Sequence, residues 1–304
     1  MPGRDRLWAS AEGALSFYNQ NIAGILPFCL MFLVPASLYV VAWYVIGTVQ
    51  GPACFNGDYI IELLFCTRYL GMLGKHAVAV FLSAFTIVPF AALVHAVNNI
   101  HMRYDTDMLV ALRNSMPGLT KILLFRAALT VTVFLPFIIV LLMSGDVVTS
   151  EITAKGVLTL STMLTPALMP LTVALLLGFA LTAMLEPVFQ YVEYEVLLTG
   201  ARVRNAIWMS YSLAMRFKKE SFIIGMFFVL LWAHLLLVKH TYLSRPELCI
   251  GLLATIFIEG MLIFPLRTIT LYNLWKELNA GYVGEDNALA KEELKSYTGK
   301  MLLG

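Results

Sequence analysis

A carboxylate in the middle of an apolar run is the first residue to need a chemical explanation: Glu259 stands among Phe257, Ile258, Gly260 and Met261. An isolated charge at membrane depth is costly, so such a group is either protonated or paired. The best partner in sequence is His234, on the preceding apolar run. At about 1.5 Å per helical residue counted from the shared loop, the two fall within one or two turns in depth. A Glu259–His234 contact would act as a hydrogen bond fixing helix register or as part of a proton or substrate path. A second polar group, His95, Asn98 and Asn99, shares one helical face by its spacing, with His101 turned away. No carboxylate or cysteine completes a metal set around it, so these read as polar residues at a helix end that meets interfacial water. Glu186, Glu193 and Glu195 lie close in sequence to Arg202 and Arg204. Pairs formed there would be surface pairs, worth about 0–1 kcal/mol.

The common catalytic signatures are missing: there is no H-E-x-x-H, G-x-x-x-x-G-K-[ST], G-x-S-x-G or G-x-G-x-x-G. The expectation is a chain without catalytic residues, cofactor or metal. Of the four cysteines, Cys29 and Cys249 read as apolar packing residues. Cys54 and Cys66 fall in one extramembrane loop and could form a disulfide if that loop faces an oxidising compartment. A formal charge of +2, with basic residues not gathered into an aromatic-interleaved patch, argues against a nucleic-acid partner.

The elements that must carry these residues follow from composition. With 60% hydrophobic and 13% charged residues, the chain has about half the charge of an ordinary soluble domain. In hydrocarbon every backbone N–H and C=O must be satisfied internally, which leaves helices and closed barrels. The apolar runs are too long and too continuous for barrel strands, so the chain is expected to be an all-α integral membrane protein. Six transmembrane helices are predicted, at about 22–48, 76–100, 121–143, 157–186, 219–239 and 248–272. Pro166 and Pro170 near the start of the long fourth run predict a tilt or kink.

Sixteen of the 21 basic residues fall at the N-terminus, the second and fourth connections and the C-terminal side; five fall on the other side. The positive-inside rule then puts both termini in the cytoplasm, as an even number of spans requires. A multi-pass protein of the plasma (inner) membrane is the expected location.

The cytoplasmic connections carry helical periodicity of their own. Trp8, Ala11, Leu15, Tyr18 and Ile22 form one face before the first span, and Leu109, Leu112 and Met116 repeat it before the third, until Pro117-Gly118 breaks it. Val203, Ile207, Tyr211 and Ala214 do so before the fifth, with Arg202, Arg204, Arg216, Lys218 and Lys219 placed to meet anionic lipid headgroups. Three units of an interfacial amphipathic helix plus a transmembrane hairpin are therefore expected, about 95 residues apart at Ala14, Ala111 and Ala206. Residues 1–278 would form the membrane domain, with approximate repeats 1–103, 104–197 and 198–278, and 279–304 a polar cytoplasmic tail.

Three stretches carry a family likeness: Ala14-Leu-Ser-Phe-Tyr-Asn-Gln-Asn-Ile, the run from Glu193-Tyr-Glu through the basic helix to Phe222, and Pro265-Leu-Arg-Thr-Ile-Thr-Leu-Tyr-Asn-Leu-Trp-Lys-Glu-Leu. The chain resembles the six-helix membrane domain attached to some glycerophosphodiester phosphodiesterases and found in stand-alone membrane proteins. The resemblance implies interfacial helices between spans and no catalysis, since the phosphodiesterase chemistry belongs to a separate soluble domain. The function expected is a non-catalytic scaffold, an accessory subunit of a membrane complex or a lipid-organising component. Its partners would be membrane lipids, other membrane subunits or a second copy. The alternative is a transporter, channel or lipid-moving protein built on Glu259 and His234; an intramembrane enzyme comes third.

Overall fold

The computed structural model describes residues 3–48, 85–104, 107–143, 169–243 and 249–280. Cys54, Cys66 and the tail beyond residue 280 lie outside the described residues. All regular structure among the described residues is helical. In chain order the helices are α1 (Gly3–Gln20), α2 (Ile22–Thr48), α3 (Ile87–His101), α4 (Met108–Met143), α5 (Met169–Phe189), α6 (Val192–Thr199), α7 (Val203–Arg216), α8 (Lys218–Leu243) and α9 (Cys249–Ile258). A π-helical turn, Glu259–Ile263, follows α9, and the helix resumes as α10 over 264–280.

Helix thus lies over part or all of each apolar stretch expected to span. Among the described residues, three helical stretches, Met108–Val133, Thr172–Thr199 and Ile250–Ala280, are long and apolar enough to cross a membrane, and a fourth if the bent pair Leu7–Gln20 and Ile22–Leu38 forms one span. Their outer faces suit lipid: Leu30, Val34 and Leu38 on α2, Leu124, Val131 and Leu135 on α4, and Ile223, Phe227 and Leu230 on α8 are all exposed. Apolar surface of this extent on a water-soluble monomer would drive aggregation.

The three amphipathic segments fold in two ways. Asn21 separates α1 from α2, with Nδ2 donating to the Phe17 carbonyl at 2.8 Å, and the chain bends by 96° there. Phe217 separates α7 from α8. The break expected at Pro117-Gly118 is absent, because α4 runs straight through both. A proline costs an internal helix one backbone bond, but packing holds this stretch: a Cβ on Gly118 would come within 2.9 Å of Leu197 Cδ2, so α6 rests directly on it. The second amphipathic segment is therefore the first turns of α4 rather than a separate helix.

The core sits at the α6 end of the bundle. Ala14, Ala111 and Ala206 are all fully buried, and four residues on from each, Tyr18, Ser115 and Ser210 are buried too. The alanines and serines at these positions let helices approach closely, while Tyr18 reaches across to the π-turn. α6 is buried on nearly every side, through Val192, Tyr194, Glu195, Val196 and Leu197, and so shows no amphipathic pattern. On the next pair, a Cβ on Gly225 would meet Pro187 Cα at 2.8 Å, so α8 touches α5 backbone there. Gly200, at φ +70°, takes the left-handed conformation that ends α6 and redirects the chain into α7.

Candidate functional site

Polar residues inside this bundle are held by α4, α5, α6, α8 and α10 around a cavity of about 440 Å³. Arg126 enters it from α4 and forks onto Glu193, its Nε and Nη2 donating to the two carboxylate oxygens, the second at 2.7 Å. Its guanidinium also lies 5.2 Å over the Phe90 ring. Arg267 enters from α10 and donates from Nη2 to Glu186 Oε1 at 2.7 Å, stacked 5.5 Å from the Phe228 ring. These side chains lie deep among the helices yet keep 35% and 41% of their surface accessible, because both line the cavity. Bidentate and ring-stacked contacts suit arginine better than lysine.

Gln190, Tyr194 and Thr268 complete the polar floor, while Leu129, Val133, Trp232 and Phe264 line the apolar remainder. The floor is braced from behind. Tyr194 Oη donates to the Thr268 carbonyl at 3.1 Å, Gln190 Nε2 donates to the Ser221 carbonyl at 3.1 Å, and Ser210 Oγ donates to the Val188 carbonyl at 2.5 Å. Glu195, fully buried, accepts from Trp275 Nε1 at 2.8 Å through Oε1, and its Oε2 has no partner among the described residues.

The carboxylates therefore turn inward, not toward Arg202 and Arg204. α5 and α6 continue one another as a rod that carries Glu186 and Glu193 across the bundle, whereas Gly200 sends Arg202 and Arg204 away from it. Arg202, Arg204, Arg216, Lys218 and Lys219 are all exposed around α7 and the start of α8. Beside them α7 exposes Trp208, Met209, Tyr211 and Met215, while Ala206, Ser210 and Leu213 face the core.

Glu259 pairs with Lys239, and His234 is exposed. The expected Glu259–His234 contact is not formed. Both candidates sit on α8, but five residues of helix turn Lys239 by about 140° from His234, and the long flexible stem of lysine carries its ammonium to the carboxylate. The pair lies where the helix widens: in the π-turn Phe264 N–H bonds to the Glu259 carbonyl, and Tyr18 Oη of α1 donates to the Met261 carbonyl at 2.5 Å.

The group at the end of α3 is drawn inward as well. Asn98 Oδ1 accepts from Tyr272 Oη at 2.9 Å, Asn99 is half-buried, and His95 Nε2 is enclosed without a partner among the described residues. His101, expected to turn away, bonds the Val97 carbonyl at 2.9 Å and lies between the rings of Phe17 and Tyr272. Cys29 is buried and free, as a packing residue would be. No cluster of histidine, cysteine and acidic residues fit for a metal occurs among the described residues.

Sequence reasoning missed Arg126 and Arg267 as site residues, counting them only toward the charge bias. Their signal was their position, a guanidinium just inside an apolar run, where a charge calls for a partner. No protein family, curated protein or solved structure matches the chain.

Proposed function

We propose that the protein is a non-catalytic, lipid-organising membrane protein that holds one amphiphile in its central cavity. The observation that carries this reading is the cavity itself, with charge at its α6 end and apolar walls beyond. A polar group can meet Arg126, Arg267, Glu186 and Gln190 while a hydrocarbon tail lies along Leu129, Val133 and Trp232. The volume, about 440 Å³, falls within the usual range for small-molecule sites. The charges are bound to one another rather than aimed at a nucleophile, which favours binding over reaction.

In this reading the chain crosses the bilayer six times with both ends on the cytoplasmic face, in the layout of the phosphodiesterase-associated membrane domain that it resembles. Ser10 of α1 donates to Glu277 of α10 at 3.3 Å, which supports a common side for the two ends. A tandem origin is supported by Pro89, Pro187 and Pro265, one on each returning helix. Tyr194 and Tyr272 stand seven residues after the second and third of these. Each tyrosine donates across to the next unit, Tyr194 to Thr268 and Tyr272 to Asn98. The exposed cations and aromatic side chains of α7 suit an interface with anionic headgroups.

A lipid-moving role is favoured by one further observation, the Lys239–Glu259 pair beside a π-turn, since π-turns concentrate at functional sites. The test is phospholipid retained by the detergent-purified chain after extensive washing, counted per protein. Leu129→Trp, which fills the cavity, lowers the count, and Leu124→Trp on the exposed face leaves it unchanged. Equal retention by wild type and Leu129→Trp contradicts the reading.

A further inference from the structure

The two arginine–glutamate pairs in the cavity are not equivalent. Arg126 spends two nitrogens on both oxygens of Glu193 and closes that pair. Arg267 spends only Nη2, on one oxygen of Glu186. Its Nε and Nη1, and Glu186 Oε2, make no further hydrogen bond among the described residues, and both side chains remain accessible, by 41% and 24%. One side of the cavity floor therefore offers planar donors and a carboxylate acceptor next to each other, both available to a guest.

We infer that the Arg267–Glu186 pair reads a zwitterionic headgroup carrying a phosphodiester and a primary ammonium; this rests on the amphiphile reading above. Among the described residues the lining holds two arginines and two glutamates and no other formally charged residue, so their charge sums to zero. A simple anion placed there would leave an uncompensated charge in a low-dielectric site, which is expensive, whereas a zwitterion keeps the sum at zero. The phosphodiester takes the unused N–H groups of Arg267, the planar donor best matched to phosphate oxygens. The ammonium donates to Glu186 Oε2, which a quaternary ammonium lacking N–H groups cannot do. Quaternary ammonium groups are otherwise held on aromatic faces; the two rings beside the ion pairs, Phe90 and Phe228, are already covered by Arg126 and Arg267, which favours a headgroup that donates to Glu186. The headgroup that fits these donors and acceptors best is an aminoethyl phosphodiester, with the apolar walls taking the part of its acyl chains nearest the head.

The experiment incubates the full chain with mixed micelles holding equal amounts of phosphatidylethanolamine, phosphatidylcholine and phosphatidylglycerol with identical acyl chains, and counts bound lipids by native mass spectrometry. Phosphatidylethanolamine is enriched about tenfold over phosphatidylglycerol, the ratio expected of one charge-assisted hydrogen bond. Glu186→Gln removes that preference, and Arg267→Gln lowers binding of all three. The wild-type ratio needs no variant, so misfolding cannot mask the result. The three lipids bound in equal amounts would overturn the headgroup inference and leave the cavity reading standing. No lipid bound would overturn both. In a separate arm, millimolar glycerophosphoethanolamine, the same zwitterionic phosphodiester without acyl chains, leaves the lipid in place; its release would assign the site to a soluble zwitterion instead.

Discussion

Removing the Arg126 guanidinium while leaving Glu193 tests whether the closed ion pair holds α4 against α6. In Arg126→Met the flexible thioether keeps contact with Phe90, but Glu193, 14% accessible, loses both of its donors. Stranding one partner of a fully buried pair costs about 3–5 kcal/mol. Because Arg126 is 35% accessible through the cavity, solvent screening brings the expected loss down to about 2 kcal/mol. The double variant Arg126→Met/Glu193→Leu removes the charge as well as its partner and returns to within about 1 kcal/mol of wild type, since apolar replacement of such pairs is often near neutral. The assay is a double-mutant cycle on unfolding in mild detergent, followed by the near-ultraviolet circular dichroism of the buried Trp275. The reasoning is refuted if the double variant is as unstable as Arg126→Met alone, since the loss would then come from packing and not from an unpaired carboxylate.

Gly225→Ala places a methyl 2.8 Å from Pro187 Cα; backbone cannot swing aside, so unfolding midpoints in detergent fall by the equivalent of about 1–3 kcal/mol. Gly118→Ala makes its one tight contact with the movable end of Leu197 and costs less than Gly225→Ala in the same measurement. Trp275→Phe removes the one donor to the buried Glu195 carboxylate among the described residues and destabilises by about 1–3 kcal/mol. Adding Glu195→Leu recovers part of that loss in a chemical denaturation series. Lys239→Met strands Glu259 and lowers thermal stability in detergent, while His234→Ala, at an exposed site, leaves it unchanged.

Much of the architecture was legible because it rests on transfer free energy summed over long windows. The runs that became α2, α5 and α8 could be read from apolar length, and α7 from its period of 3.6 residues. The joint between α1 and α2 was visible as periodicity giving way to a continuous apolar run. The site was less legible because tertiary packing decides it. Gly118 reads locally as a helix breaker, and only the arrival of Leu197 explains an unbroken α4. Glu186 and Glu193 have nearby arginines in sequence, yet the rod of α5 and α6 points them at Arg267 and Arg126, which lie 81 and 67 residues away. Depth counting placed Glu259 opposite the correct helix but could not assign rotation about that helix, so Lys239 took the place expected for His234.

The most direct measurement of the central claim is a density map of the full chain in a nanodisc of native lipid extract. An elongated density is predicted in the cavity, with its head at Arg267 and Glu186 and its tail between Leu129 and Trp232. A cavity closed by side chains, or one filled with ordered water and no tail density, would contradict it.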